Sequence, residues 1–294
     1  MKLFNSFFDA KINFPTAITI GKFDGIHLGH HALISEIISK KNSGFISCII
    51  TFTKSPRIVL SKDIKLSLFT NEERYHILEK FGIDYLFLCE FNKKFMELQP
   101  IKFIEILCKN LNMKYLVVGS DFTFGFKGAG NADLLKNISR IFGFELKVIS
   151  KIQIDNINIS STLIRKELNR GNLNLVNRML GYNYFILGEI INSKTILGIY
   201  CMYIKSDRNK LLPKCGFYFT KIFYEDKVYN GFTKILKKTK SFEDSIQSED
   251  EIIIKTYSKE IKNISCREPI KICFNGESKN FFSMWEGKEE LHII

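Results

Sequence analysis

Residues 19–30 read Thr19-Ile20-Gly21-Lys22-Phe23-Asp24-Gly25-Ile26-His27-Leu28-Gly29-His30, and His31 follows. The stretch leaves a short apolar run, Ala17–Ile20, that ends at Gly21. Beyond it, Leu33, Ile34, Ile37 and Ile38 recur at helical spacing over His31–Lys41. The reading is therefore strand, glycine turn, helix start. In an open parallel sheet, ligands collect at that carboxyl end of a strand. Gly21, Gly25 and Gly29 let the backbone approach a ligand closely. A helix starting near His30 offers free N–H groups and a positive dipole end to phosphate. Three of the five histidines lie in this window, and histidines placed there donate hydrogen bonds to phosphate oxygens as charge develops.

Outward from this turn, β-like runs alternate with helical periodicity. Phe45–Phe52 reads as a buried strand. Thr70 and Glu73 form a capping box for a helix through Phe81. Tyr85–Cys89 is a strand, and Pro100 opens a helix to about Asn110. Tyr115–Gly119 is a strand, Ala132–Phe142 a helix, Glu145–Ile149 a strand, and Ser161–Leu180 a closing helical stretch. Alternation over about 150 residues predicts a parallel sheet covered on both faces.

After Gly181 aromatic and β-branched runs take over: Tyr184–Ile191, Leu197–Ile204, Gly216–Tyr224, Glu251–Tyr257 and Ile270–Phe274. They predict a small all-β barrel or sandwich. The expected domains are 1–182 and 183–294. The basic run Lys234–Lys240 and the acidic run Glu243–Glu251 read as solvated loops.

Composition agrees with two folded domains. The 294 residues are 45% hydrophobic and 25% charged, which excludes global disorder. Lys+Arg 43 against Asp+Glu 31 gives +12. That favours an anionic partner and leaves nucleotide, nucleic acid and membrane surface open. The wealth of Lys, Ile, Asn and Phe looks like coding bias, so the charge is discounted. Seven cysteines without a CxxC pair argue against a disulfide framework or zinc site and for a reducing cytoplasm. Asp9 and Lys11 break the apolar N-terminus, so it is a poor signal peptide, and no apolar run of about 18 residues exists to span a membrane.

Two further stretches carry chemistry. Ile159-Ser160-Ser161-Thr162-Leu163-Ile164-Arg165 follows the last strand of the sheet and starts a helix. Its hydroxyls cap the helix or bind phosphate, with Arg165 one turn further on the same face. Gly119–Gly130 follows another strand. Its glycines and aromatics suit either a loop beside a flat ring or core packing with a surface glycine loop.

Thr19–His30 (TIGKFDGIHLGH), Phe91–Leu98 (FNKKFMEL), Val117–Gly125 (VVGSDFTFG) and Ile159–Arg165 (ISSTLIR) together resemble the bacterial riboflavin kinase/FAD synthetase family. The N-terminal part resembles its FMN adenylyltransferase module, of the HxGH nucleotidyltransferase superfamily. The resemblance covers about residues 14–182 and thins after 183. It implies an α/β fold: an open, parallel, doubly wound nucleotidyltransferase domain followed by a small β-barrel-like domain. It implies that ATP and FMN react to give FAD and pyrophosphate, with Mg²⁺ on the polyphosphate. His27 and His30 would hold the ATP phosphates and stabilise charge on the α-phosphoryl. Ser161, Thr162 and Arg165 would hold the β,γ end, and Gly21, Phe23 and Gly29 would shape the cradle. Asp24 would either orient that loop or help at the metal. Asp121, Phe122, Phe124 and Gly125 would lie on the FMN or adenine side.

The chain also departs from the family. Thr53-Lys54-Ser55-Pro56 lacks the usual acidic residue and one proline of the loop after the second strand. The kinase signature Pro-Thr-Ala-Asn is replaced by Ile199-Tyr200-Cys201-Met202-Tyr203, which cannot hold a hard cation. Glu251 aligns with the kinase's catalytic glutamate but without its usual neighbours. The expectation is a cytoplasmic FAD synthetase whose second domain is a degenerate barrel. Its partners would be FMN and ATP, with no specific nucleic acid and no membrane, and no oligomeric state is implied. The rival readings are a bifunctional riboflavin kinase/FAD synthetase, an HxGH transferase with another acceptor phosphate, and a non-catalytic flavin- or RNA-binding regulator.

Overall fold

The computed structural model describes residues 1–53, 66–196, 198–237, 252–261 and 264–277. They fall into two compact units, Met1–Lys65 with Asn71–Ser160, and Leu66–Thr70 with Ser161–Ile294.

The first unit begins with β1 (Lys2–Phe4), β2 (Thr16–Ile20), α1 (Leu28–Ser39) and β3 (Ile46–Phe52). There follow α2 (Asn71–Glu79), β4 (Tyr85–Cys89), the single turn α3 (Lys93–Met96), α4 (Pro100–Leu111) and β5 (Met113–Gly119). Last come α5 (Ala132–Phe142), β6 (Glu145–Ile149) and the hairpin β7 (Gln153–Ile154) and β8 (Ile157–Asn158). Six strands form one sheet in the order β1-β4-β3-β2-β5-β6, every neighbour parallel. This is the expected open parallel sheet.

Its strands are apolar runs because helices cover them. All five residues of β2 are buried, and so are six of the seven in β3. Ile18, Ile20, Ile50, Phe87, Leu116 and Val118 pack with Phe103, Ile104 and Leu107 of α4 and Leu135 and Ile138 of α5. Pro100 occupies the first turn of α4, where a missing N–H costs nothing. Asn131 caps α5 by accepting from the Leu134 N–H at 2.9 Å.

From β2 the chain moves to β3 and β4 on one side, then crosses to β5 and β6 on the other. The winding reverses between β2 and β5, so the carboxyl ends of those two strands open a crevice. The structure starts α1 at Leu28, earlier than the periodicity alone indicates, so His30 and His31 fall in its first turn. The edge strand β1 and the hairpin were not foreseen, being too short to carry a pattern.

The second unit starts with α6 (Ser161–Arg170) and α7 (Leu173–Leu180). The expected single helical stretch is divided at Gly171, whose φ is +84°. A closed antiparallel barrel follows: β9 (Phe185–Ile196), β10 (Ile199–Ser206), β11 (Gly216–Tyr224), β12 (Lys227–Lys237), β13 (Ile252–Ser258) and β14 (Pro269–Glu277). The barrel order is β10-β13-β12-β11-β14-β9. Closure leaves no free sheet edge. From Tyr218 on, strand β11 alternates, with Tyr218, Thr220, Ile222 and Tyr224 buried and Phe219, Lys221 and Phe223 outside.

One expectation is corrected here. Lys234–Lys237 are not loop but part of β12. Buried Thr233 and Ile235 flank Lys234, so Lys234 is an outward residue of a period-2 strand. Gly231 in the same strand is required by space, since a Cβ there would collide with the Tyr257 carbonyl. Thr233 also joins a buried hydroxyl row, 3.1 Å from Thr220 Oγ1 and 3.1 Å from Thr256 Oγ1. The remainder of the basic run, the acidic run with Glu251, Lys54–Pro56 and Leu197 lie outside the described residues.

Candidate active site

Gly21 still donates to Ile50 O at 3.1 Å, so the turn leaves β2 from a fixed position on β3. Three residues then take left-handed backbone: Phe23 (φ +46°), Gly25 (φ +97°) and Ile26 (φ +34°). For β-branched Ile26 that is an outlier. Such strain persists only where the surroundings over-determine it, and it concentrates at ligand clamps. Here the Phe23 and Ile26 side chains are fully buried. A Cβ at Gly21 would lie 3.2 Å from the Phe23 ring, and one at Gly29 would lie 3.1 Å from Nδ1 and Cε1 of His27, so a side chain at either position would press on those rings.

His27 is the N-cap residue of α1. Its carbonyl accepts from the N–H groups of His30 at 2.7 Å and His31 at 3.0 Å. Its own N–H donates to His30 Nδ1 at 3.3 Å. That bond fixes the tautomer, so neutral His30 carries its proton on Nε2. The His30 ring lies between His27, 4.0 Å away, and Phe23, 4.9 Å away. Burial pushes the His27 imidazolium down to about 4, helped by His31 and opposed by Asp24 and Asp121. Burial, then His27 and His31, holds His30 well below the ordinary histidine value. His31 is lowered by burial, against a backbone hydrogen bond at Ile26. At neutral pH the cluster is therefore uncharged. Each ring has one N–H to give, and a polyanion would draw the pKa values back up. His27 Nδ1 is buried and has no hydrogen-bond partner among the described residues.

The loop after β5 leaves the neighbouring strand. Asp121 is exposed and lies 3.1 Å from Lys151 Nζ. Its charge acts on His27. Phe122 is half-buried and stacks on Phe124, at 5.4 Å and 13°. Phe124 is in the core, 5.7 Å from Phe103. Gly125 (φ +73°) sits where a Cβ would fall 2.6 Å from Pro100 Cγ. Phe124 and Gly125 thus seat the loop on α4, Phe122 packs at the margin of the core, and Asp121 is exposed.

Arg74 of α2 was not singled out by sequence reasoning. It is 6% exposed. Its guanidinium donates to Lys22 O at 3.0 Å, Thr51 Oγ1 at 3.2 Å and Phe52 O at 2.7 Å, and also to Asn71 Oδ1. The available signal is its place at helical spacing with Ile77, Leu78 and Phe81, on the apolar side of an otherwise polar helix.

The first unit thus brings together His27, His30, Gly21, Phe23, Gly29 and the Asp121 loop. Ser161, Thr162 and Arg165 belong to the second unit. Ser161 and Thr162 form the first turn of α6 and Thr162 is exposed. Arg165 Nη1 donates to the carbonyl of Leu66. Among the described residues no three His, Cys, Asp or Glu side chains gather as a metal cage. A Mg²⁺ ion carried by a polyphosphate needs only one or two protein carboxylates, and Asp24 in the turn is of that kind. Among the described residues no helix is long and apolar enough to cross a membrane.

Comparison with known proteins identifies the family. The sequence profile of the FAD synthetase family matches residues 9–163, more than half of the chain. A bifunctional riboflavin kinase/FMN adenylyltransferase of Buchnera aphidicola subsp. Schizaphis graminum is 38% identical over 191 residues, 63% of this chain and 61% of the relative. The chain therefore spans less than two thirds of that relative's length. A FAD synthetase of Listeria monocytogenes is 31% identical over 179 residues, 60% of this chain and 73% of the relative. A crystal structure of a macrolide-efflux protein from Streptococcus pneumoniae is similar with a TM-score of 0.84 at 21% identity, over 98% of this chain and 97% of that one. At that identity the likeness speaks for the fold alone.

Proposed function

This chain belongs to the FAD synthetase family, and from that premise we propose that it transfers AMP from ATP to FMN, giving FAD and pyrophosphate. A phosphate oxygen of FMN attacks the α-phosphorus of ATP, and the bond from that phosphorus to the oxygen bridging to the β-phosphate breaks. The attacking phosphate is already anionic, so no general base is required. Catalysis is then positioning and stabilisation of charge on the α-phosphoryl and the leaving pyrophosphate.

The observation that carries this reading is the His27–His30 pair at the reversal point of the sheet, with His30 held as the Nε2–H tautomer. A neutral, packed imidazole whose tautomer is fixed is a preorganised donor. In this reading His27 and His30 act on the α-phosphoryl, and Gly21, Phe23 and Gly29 form the ATP cradle. Ser161, Thr162 and Arg165 hold the β,γ end. Asp121 and Phe122 meet the flavin side, with Phe124 and Gly125 shaping it from beneath. Mg²⁺ enters with ATP as part of that substrate, and the reaction belongs in the cytoplasm, where free thiols are stable.

The domain roles follow: residues 1–182 for adenylyl transfer, and 183–294 as a kinase-like barrel without kinase activity. Strand β10 supports the second part. Its Cys201 and Met202 are buried, and Ile199–Tyr203 offers no carboxylate, amide or threonine hydroxyl to a hard cation.

The test is to incubate the purified chain with ATP, Mg²⁺ and either FMN or riboflavin, then to resolve FMN from FAD. FAD from FMN, and no FMN from riboflavin, is expected. Absence of FAD overturns the reading. FMN accumulating from riboflavin at a comparable rate overturns the statement about the barrel. Offering nicotinamide mononucleotide, phosphopantetheine or glycerol phosphate instead of FMN checks the acceptor.

A further inference from the structure

We infer that Arg74 is a positioning residue that sets ATP affinity by holding the turn between β2 and α1 in its strained form. It does so from outside the turn, through a backbone carbonyl. The inference rests on the adenylyl-transfer reading only in taking ATP as the ligand.

Lys22 O receives two hydrogen bonds from different elements. One comes from Arg74 Nη1 of α2 at 3.0 Å, the other from Thr51 Oγ1 of β3 at 2.9 Å. Arg74 Nη1 also donates to that same Thr51 oxygen at 3.2 Å, and Nη2 reaches Phe52 O at 2.7 Å. The guanidinium fork therefore ties the turn to the end of β3. Pinning the Lys22 carbonyl fixes the plane of the peptide that enters Phe23, the first residue with left-handed backbone, at φ +46°. The Phe23 ring in turn lies 4.9 Å from His30. Each link from Arg74 to the His30 ring is a contact in one compact unit.

A buried charge is costly unless its donors are satisfied. Burial lowers the Arg74 pKa to about 10, with Asp24 opposing, so the group stays charged at neutral pH. Thr51 and the carbonyls of Lys22 and Phe52 are the acceptors that keep it there. A lysine would preserve the charge but not the planar fork that reaches Lys22 and Phe52 together.

The test uses the full chain with Arg74→Met, Arg74→Lys and Thr51→Val, at a temperature where circular dichroism shows each variant folded. Two quantities are read: the Kd of a non-hydrolysable ATP analogue, and the KM values for ATP and FMN. Arg74→Met is expected to weaken ATP by about tenfold while the KM for FMN stays within twofold, given the strength of charge-assisted hydrogen bonds. Arg74→Lys should recover less than half of the loss on a logarithmic scale. Thr51→Val should weaken ATP by about threefold, and it carries the test if Arg74→Met does not fold. Unchanged ATP affinity in a folded Arg74→Met or in Thr51→Val overturns the inference, as do equal losses for ATP and FMN. If the unaltered chain binds the analogue and Arg74→Met weakens it, but no FAD forms, the inference stands and the adenylyl-transfer reading falls. If the unaltered chain does not bind the analogue, both fall.

Discussion

The turn over Gly21–His30 and the strand β10 over Ile199–Ser206 occupy positions where the family resemblance implies nucleotide phosphate, and they are built in opposite ways. In the turn, Phe23 and Ile26 take left-handed backbone, the His30 tautomer is fixed, and burial lowers the pKa of His27 and His30. In β10, every residue pairs with β9, and Tyr200–Ile204 also pair with β13. A strand satisfied on both sides has no backbone N–H left for a phosphate. The difference teaches how each region treats its backbone donors: neighbours keep the turn irregular, whereas pairing in the barrel uses the N–H groups of the strand.

The largest effect that can break this contrast is on chemistry. His30→Ala and Arg165→Ala are each expected to lower FAD formation by about 10²-fold or more with the protein folded, the scale of removing one preorganised donor. Tyr200→Phe and Tyr203→Phe in β10 should leave the rate within about twofold, since those hydroxyls have no part in the proposed reaction. Single-turnover kinetics on the four variants decides it. Full activity in His30→Ala would remove the distinction between the two regions.

Much of this contrast was legible in the sequence, because its signals are local. The apolar run, the three glycines and the histidines all lie within Ala17–His31, and the helix after them has a plain period. The inner strands β2, β3 and β4 were equally legible, since burial on both faces writes them as apolar runs. The end of strand β12 was hidden because Lys234 and Lys237, with the lysines that follow, read as a charged loop. Closure of the barrel depends on register between β9 and β10 and between β14 and β9, which no local pattern encodes. Arg74 was illegible for another reason. Two of its acceptors are backbone carbonyls, and a carbonyl belongs to every residue type.

A pH series sharpens the comparison next. His27 has a folded pKa near 4 against an ordinary 6.5. Below 6.5 the unfolded chain therefore binds a proton that the folded chain does not. This contribution to stability is complete above pH 6.5 and declines as the pH falls toward 4. From pH 7 to pH 5 the loss from His27 is about 2 kcal/mol, and His30 adds to it in the same direction. Urea midpoints at the two pH values measure this. His27→Asn should flatten the dependence, and an unchanged slope in that variant would show that the turn does not hold His27 neutral. Histidine is absent from the described residues of the barrel, so that region contributes nothing of this kind.

A smaller effect belongs to the second unit. Tyr184 is fully buried, and its hydroxyl lies 2.7 Å from Leu68 O and 2.5 Å from Leu211 O. Lys210 Nζ also donates to Leu68 O, at 2.7 Å, and lies 4.1 Å from the Phe69 ring. Tyr184→Phe leaves Leu211 O without this donor and should cost about 1–2 kcal/mol of stability, read as a lowered denaturant midpoint. A neutral result would mean that water replaces the hydroxyl at both carbonyls.

The smallest expected effect concerns the excess of basic residues. A chain of +12 attracts polyanions, but specific nucleic-acid binding needs a clustered basic face and a steep dependence on salt. In the first unit the lysines are dispersed, and several are engaged: Lys41 with Asp84 at 2.8 Å, Lys109 with Glu105 at 2.8 Å, and Lys136 with Asp133 at 3.0 Å. In the barrel, Lys234 and Lys271 lie over the Phe217 and Phe185 rings at 4.7 and 4.3 Å. Single strands require a basic stripe interleaved with free aromatic faces, and these lysines are already engaged. Binding to RNA or DNA at physiological salt should therefore be weaker than about micromolar and equal for unrelated sequences. Fluorescence anisotropy with two unrelated oligonucleotides, each across a salt series, measures it. Sub-micromolar, sequence-dependent binding would favour a regulator over the adenylyl-transfer reading.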